Sequence, residues 1–122
     1  MPQFQVYQIR VDRDNKESID AFRDAMMGWS FLEDHFTFER ARPFYSHVAD
    51  VTAVDEEHAF ELMNLWHDES AVRRLLRLHS LSVGDILIDE DGNRLFCDGV
   101  GFKNIGRSPD YGQYGPTNSY WI

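Results

Sequence analysis

Asp91-Gly92 stands between two short apolar runs, Ile86-Leu87-Ile88 and Leu95-Phe96-Cys97. An Asp-Gly step flanked by alternating apolar residues is among the strongest short-range signals for an antiparallel hairpin, because the tight turn needs positive φ. That one feature commits the C-terminal third of the chain to β-structure. Val100-Gly101-Phe102-Lys103-Asn104-Ile105 reads as a further strand after a bend at Gly99. Two earlier segments alternate in the same way. In residues 4–11, Tyr7, Ile9 and Val11 share one face while Phe4 and Val6 share the other with Gln8. In residues 44–51, Phe44, Ser46, Val48 and Asp50 oppose Tyr45, His47, Ala49 and Val51.

Helical signals fill the spaces between these strands. Asp14 and Glu17 have capping-box spacing, Ile19, Phe22 and Met26 follow at helical intervals, and Gly28 is placed to stop a helix over residues 16–27. Thr52 or Asp55 can cap a second helix, with acids in its first turn and Phe60, Leu62, Met63 and Trp66 on its apolar side. Residues 69–78 read as a third, with Val72, Leu75 and Leu76 inward and Arg73, Arg74 and Arg77 on the other side. In residues 29–42 neither period wins, and Pro43 disfavours helix at Arg42. The expectation is one α+β domain over residues 1–106, an antiparallel sheet with a C-terminal hairpin packed against two or three helices. An irregular aromatic tail, residues 107–122, follows it.

A chain of 122 residues with 43% hydrophobic residues is sized for one ordinary globular domain. Acidic residues outnumber basic ones by 21 to 12, and the resulting charge of −9 argues against general nucleic-acid binding, which needs a basic footprint. A single cysteine excludes an internal disulfide framework. Neither a membrane-spanning apolar run nor a signal-peptide pattern is present in the sequence, so the expected setting is soluble and cytoplasmic.

Motifs for phosphate cradles, dinucleotide binding, zinc proteases and the hydrolase nucleophile elbow do not occur. His35, His47, His58, His67 and His79 lack the paired spacings that zinc sites reuse. Cys97, inside an apolar strand, reads as a small core residue. Asp85, Asp89, Asp91 and Asp98 surround the hairpin, where turns collect aspartate for conformational reasons. No catalytic residue, metal or cofactor is therefore assigned. The candidates for partner contact are aromatic or basic: Trp29, Phe31 and Phe36, the Arg73, Arg74 and Arg77 cluster, and Tyr114, Tyr120 and Trp121 in the tail.

The stretch Ser80-Leu81-Ser82-Val83-Gly84-Asp85, with the apolar hairpin and the Gly101-Phe102-Lys103-Asn104-Ile105 ending, resembles the signature of the YodL-like family. Tyr45-Ser46-His47-Val48-Ala49-Asp50-Val51 and Phe60-Glu61-Leu62-Met63-Asn64 resemble that family's strand and helix, so the likeness spans about residues 44–105. Asn104 and the length between Asn64 and His79 depart from the pattern. The resemblance implies a small domain of phages, plasmids and integrative elements, and it brings no catalytic residues. Ser80, Ser82, Gly84, Asp85, Gly101 and Phe102 are read as building the fold: serines bonding nearby backbone, Gly84 at positive φ, Asp85 closing a turn and Gly101 at a bulge.

The function expected on these grounds is that of a non-enzymatic accessory protein of a phage or other mobile element that binds another protein. A host-defence nuclease is a target that the acidic charge suits, and a homodimer is compatible with the sequence. The alternatives are a small nucleic-acid-associated module with a PUA- or SH3-like β element and, more remotely, a metal-dependent hydrolase.

Overall fold

The alternating N-terminal segment becomes β1 (Gln3–Ile9), around which a sheet assembles in a computed structural model that describes residues 2–65, 69–108 and 122. The other strands are β2 (Tyr45–Thr52), β3 (Val72–Arg74), β4 (Ile86–Ile88), β5 (Asn93–Cys97) and β6 (Phe102–Arg107). They lie in the order β3-β2-β1-β4-β5-β6, and every neighbouring pair is antiparallel. Four helices cover the two faces: α1 (Lys16–Ala25), α2 (Trp29–His35), α3 (Phe38–Ala41) and α4 (Glu56–Leu65). The chain is thus a single small α+β domain, and β5 with β6 forms the C-terminal hairpin.

The period-two pattern of β1 sorts its side chains as the sequence implies. Phe4 and Val6 go to a core with Val51, Leu62, Met63, Leu87 and Leu95 under α4. Tyr7 and Ile9 go to a second core with Leu32, Phe38, Ile86, Ile88 and Phe96 under α1–α3. β2 breaks its alternation. Val6 pairs with Ala49 and Tyr7 with His47, so Val48 is an extra residue in a β-bulge, and Val48, Ala49 and Val51 all reach the α4 core.

Three helical expectations change. Asn15, not Asp14, caps α1, its side-chain oxygen accepting from the Glu17 N–H at 3.0 Å. Ile19 and Met26 are exposed, and α1 instead buries Ser18, Ala21, Asp24 and Ala25, a small-residue side that lets the helix lie close to the sheet. Residues 29–42, without a dominant period, form the short helices α2 and α3 and a 3₁₀ turn at Arg42–Phe44. The expected helix over 69–78 is absent. A 3₁₀ turn at Glu69–Ala71 leads into β3, which pairs with Ala49–Val51, and the Val48 carbonyl accepts from the Leu75 and Leu76 N–H groups. The edge of β2 offers backbone partners that outweigh helix propensity here, and Leu75 and Leu76 stay exposed.

The Asp-Gly hairpin forms as the sequence implies. Gly92 has φ +84°, and the Asp89 carboxylate accepts from the Asp91 and Asn93 N–H groups, each at 2.9 Å. Gly101 lies in the β5–β6 turn, closed by Asp98 N–H to the Gly101 carbonyl at 2.9 Å, rather than at a bulge. The irregular step in that pair falls opposite Arg94. Arg94 donates to the carbonyls of Ile105, Gly106 and Ile122 at 3.0–3.2 Å, and Ile122 is buried in the core under α1–α3. No helix among the described residues is long and apolar enough to cross a membrane.

Candidate functional site

The motif loop is fixed from four sides before it shapes anything. The Asn64 amide on α4 grips the Leu81 backbone, donating to its carbonyl at 3.0 Å and accepting from its N–H at 2.7 Å. The Asp85 carboxylate accepts from the Ser82 N–H at 2.9 Å and from the Gln8 amide at 3.1 Å. Gln8 also donates to the His79 carbonyl and accepts from the His79 N–H. The Tyr45 hydroxyl donates to the Gly84 carbonyl, and Gly84 and Asp85 extend the β4–β5 ladder through the Cys97 backbone. Ser82 meets the Asp85 carboxylate through both its backbone N–H and its side chain. His79 Nδ1 lies 2.7 Å from the Ser80 carbonyl and 3.3 Å from the Gln8 amide nitrogen.

Gly84 has φ +99°, and a Cβ placed on it would sit 3.0 Å from the Ala25 backbone and Cβ of α1. Both conformation and space demand glycine there. Burial pushes the Asp85 carboxyl up to about 7, the Ser82 N–H, the nearby His79 and the Gln8 amide offsetting part of that cost. Burial pushes the Tyr45 hydroxyl up as well, with the Asp85 charge adding to it.

This loop and the β5–β6 turn then wall a groove of about 580 Å³ at one end of the α4 face. Glu57 and Phe60 come from α4, Leu81, Ser82 and Val83 from the loop, and Cys97, Asp98, Gly99, Gly101 and Phe102 from the hairpin. The two separated halves of the sequence motif meet at this place. Phe60 and Phe102 touch edge to face with centroids 6.4 Å apart. Asp98 accepts from its neighbour Gly99 N–H at 2.9 Å and reaches the Trp29 N–H at 3.4 Å, which holds the turn against the start of α2. Burial first, then the Asp85 and Asp98 charges, push the Cys97 thiol up to about 12, so it stays protonated and a poor nucleophile at neutral pH. The groove can hold an apolar side chain.

The expected contact residues do not gather. Trp29 packs against Phe96 and Phe38 with centroids at 5.2 and 5.4 Å, and Phe36 is buried beneath the Arg40 guanidinium, so both rings belong to the domain's own core. Phe31 is half-buried and stacks on His35. Arg73 and Arg74, expected on one helix face with Arg77, occupy successive positions of β3 and so point to opposite sides of the sheet. Arg77 lies in the loop beyond. Tyr114, Tyr120 and Trp121 lie outside the described residues, as does His67.

His47 stacks on Tyr7 and bonds the Asp50 carboxylate at 2.7 Å, His58 accepts from the Val54 N–H, and His79 sits by the loop. Among the described residues, no three His, Cys, Asp or Glu side chains come together in a metal-binding arrangement. Glu57 and Phe60 were absent from the sequence candidates for contact. The helical period puts Phe60 on the apolar side of α4, and in the fold it stays 37% exposed and meets Phe102. No family model, curated protein or solved structure matches this chain.

Proposed function

We propose that the chain is a non-enzymatic accessory protein that acts by binding another protein, with the motif groove as the contact. One observation carries this reading: both halves of the motif, far apart in sequence, converge to wall an apolar concavity whose only thiol is held protonated. The likeness to the YodL-like signature supports a setting in a phage or other mobile element. A charge of −9 supports a partner with a basic surface, and the nucleic-acid channel of a host-defence nuclease is a surface of that kind. An anti-defence role follows from that partner.

The experiment is affinity capture from host lysate, followed by reconstitution with the purified captured protein. A stoichiometric complex by light scattering, weakened by added salt, is the expected result. Failure to form any complex at micromolar concentrations would remove the reading. A gel shift with duplex or single-stranded nucleic acid that collapses in salt would replace it with the nucleic-acid module.

A further inference from the structure

The groove carries charge of one sign. Glu57, in the first turn of α4, and Asp98, at the β5–β6 turn, both line it, and no lysine or arginine is among its lining residues. Between them the surface is mostly apolar: Leu81, Val83, Phe102 and the partly exposed ring of Phe60. The corresponding aromatic on the other face, Phe96, is completely buried. Its volume of about 580 Å³ lies in the range of binding pockets, roughly 300–1,000 Å³.

We infer that this groove receives a large aromatic side chain from a partner protein, presented on a segment whose flanking residues are lysine or arginine. The inference rests on the protein-binding reading above and names what the partner must present. An aromatic ring removes the most apolar surface from water per side chain ordered, and Phe60 and Phe102 offer it an edge or a face. Flanking cations meet Glu57 and Asp98, so the same segment satisfies both the apolar walls and the acids. A small neutral ligand would use only the walls. A nucleic acid would bring its phosphates against two carboxylates.

Gly99 supplies the test. A Cβ built there meets nothing within 4 Å, and its backbone lies outside the left-handed region, so Gly99→Trp adds a ring beside the groove without straining the fold. The probe is a labelled peptide with a central tryptophan and two lysines on each side, titrated into the full chain by fluorescence and by amide chemical shifts. Controls replace the lysines with glutamates, replace the tryptophan with alanine, or supply free indole.

The expected result is a binding isotherm with shifts confined to Glu57, Phe60 and residues 81–83 and 97–102, and controls weaker by about tenfold or more. Glu57→Gln weakens the lysine peptide about threefold, the scale of one exposed charge pair. Gly99→Trp abolishes binding at an unchanged melting temperature. Shifts elsewhere, equal binding of the glutamate or alanine peptide, equal binding of indole, or no binding at millimolar peptide would each overturn the inference. A captured partner that still binds Gly99→Trp at full affinity would overturn the groove assignment while leaving the protein-binding reading standing. A groove that binds the peptide in a chain that forms no complex with any protein would have the opposite meaning.

Discussion

The two faces of the sheet are finished differently. Three helices, the buried rings of Phe36, Phe38 and Phe96, and Ile122 close one face. Among the described residues the other has α4 alone, Glu56–Leu65, over a core of smaller side chains such as Val6, Ala49, Val51 and Ala59. A ten-residue helix is about 15 Å long, and six strands about 4.8 Å apart make a sheet wider than that. One helix therefore leaves an end of the sheet open among the described residues, and the motif loop and hairpin turn rim that end as a groove. Among the described residues, one face is closed by its own rings and the other keeps a groove.

The sharpest way to break this comparison is at Gly84, where the loop meets α1. Gly84→Val would force a β-branched residue to φ +99° and press its Cβ against the Ala25 backbone. Strain and overpacking together should cost about 3–5 kcal/mol, enough to lower Tm by more than 10 °C. A variant that melts with the parent would show that α1 and the loop do not meet as described.

Truncation after Gly106 probes the same face at the other end. It removes Ile122 from the core, one backbone acceptor from Arg94, the last residue of β6, and buried Ser108 with its N–H bond to the Gly92 carbonyl. Losing one buried aliphatic side chain is worth about 1.5–3 kcal/mol, several degrees of Tm in calorimetry. A truncated protein that keeps its melting temperature but loses its partner would make the tail a binding element instead.

Asp85 couples the two faces, since its carboxylate joins β1 to the motif loop. Burial raises it from near 3.8 to about 7, so across that interval the native state binds its proton more tightly than the unfolded chain. Its contribution to stability is therefore full below about pH 4 and is lost as pH rises through about 7. Relative to Asp85→Asn, which has no proton to lose there, the parent should lose several degrees of Tm between pH 4.5 and 8, roughly 1 kcal/mol or more. A pH-independent difference between the two melts would mean that Asp85 ionises without cost where it lies.

Cys97 tests the groove side with a smaller change. Cys97→Ser places a hydroxyl at a buried position and should cost about 1 kcal/mol, read from urea midpoints. In the parent, alkylation by iodoacetamide should be slow while the chain is folded, because the thiol is held near 12. Fast labelling of native protein would restore the thiol as a reactive group.

How much of this was legible in the sequence depended on whether a local pattern had a local cause. The β4–β5 hairpin was legible because Asp89, Asp91 and Gly92 carry their own turn chemistry. The facing of β1 was legible because its side chains alternate without interruption. The bulge at Val48 was not, since an added residue in one strand is defined only by the register of its neighbour. Nor was β3: the pattern of Val72, Leu75 and Leu76 fits a helix until the edge of β2 supplies backbone partners. The groove was half legible. Ser82, Gly101 and Phe102 stand out in the sequence as builders of the fold; that they wall one cavity with Glu57 and Phe60 depends on distant segments meeting.

The smallest expected effects separate space from backbone conformation at the groove itself. A Cβ at Gly99 and a Cβ at Gly101 both meet nothing within 4 Å, so neither substitution to alanine has a steric neighbour to displace. They differ in backbone: Gly101 has φ +72°, in the left-handed region, while Gly99 does not. Gly101→Ala should therefore cost about 1 kcal/mol, the ordinary penalty for an L-residue held there. Gly99→Ala should fall within about 0.5 kcal/mol of the parent, as an exposed substitution free of strain. Urea midpoints at constant m-value distinguish the two. Equal costs would mean that the β5–β6 turn relaxes to another geometry when Gly101 is replaced, and the groove wall would then be a pliant turn rather than a fixed one.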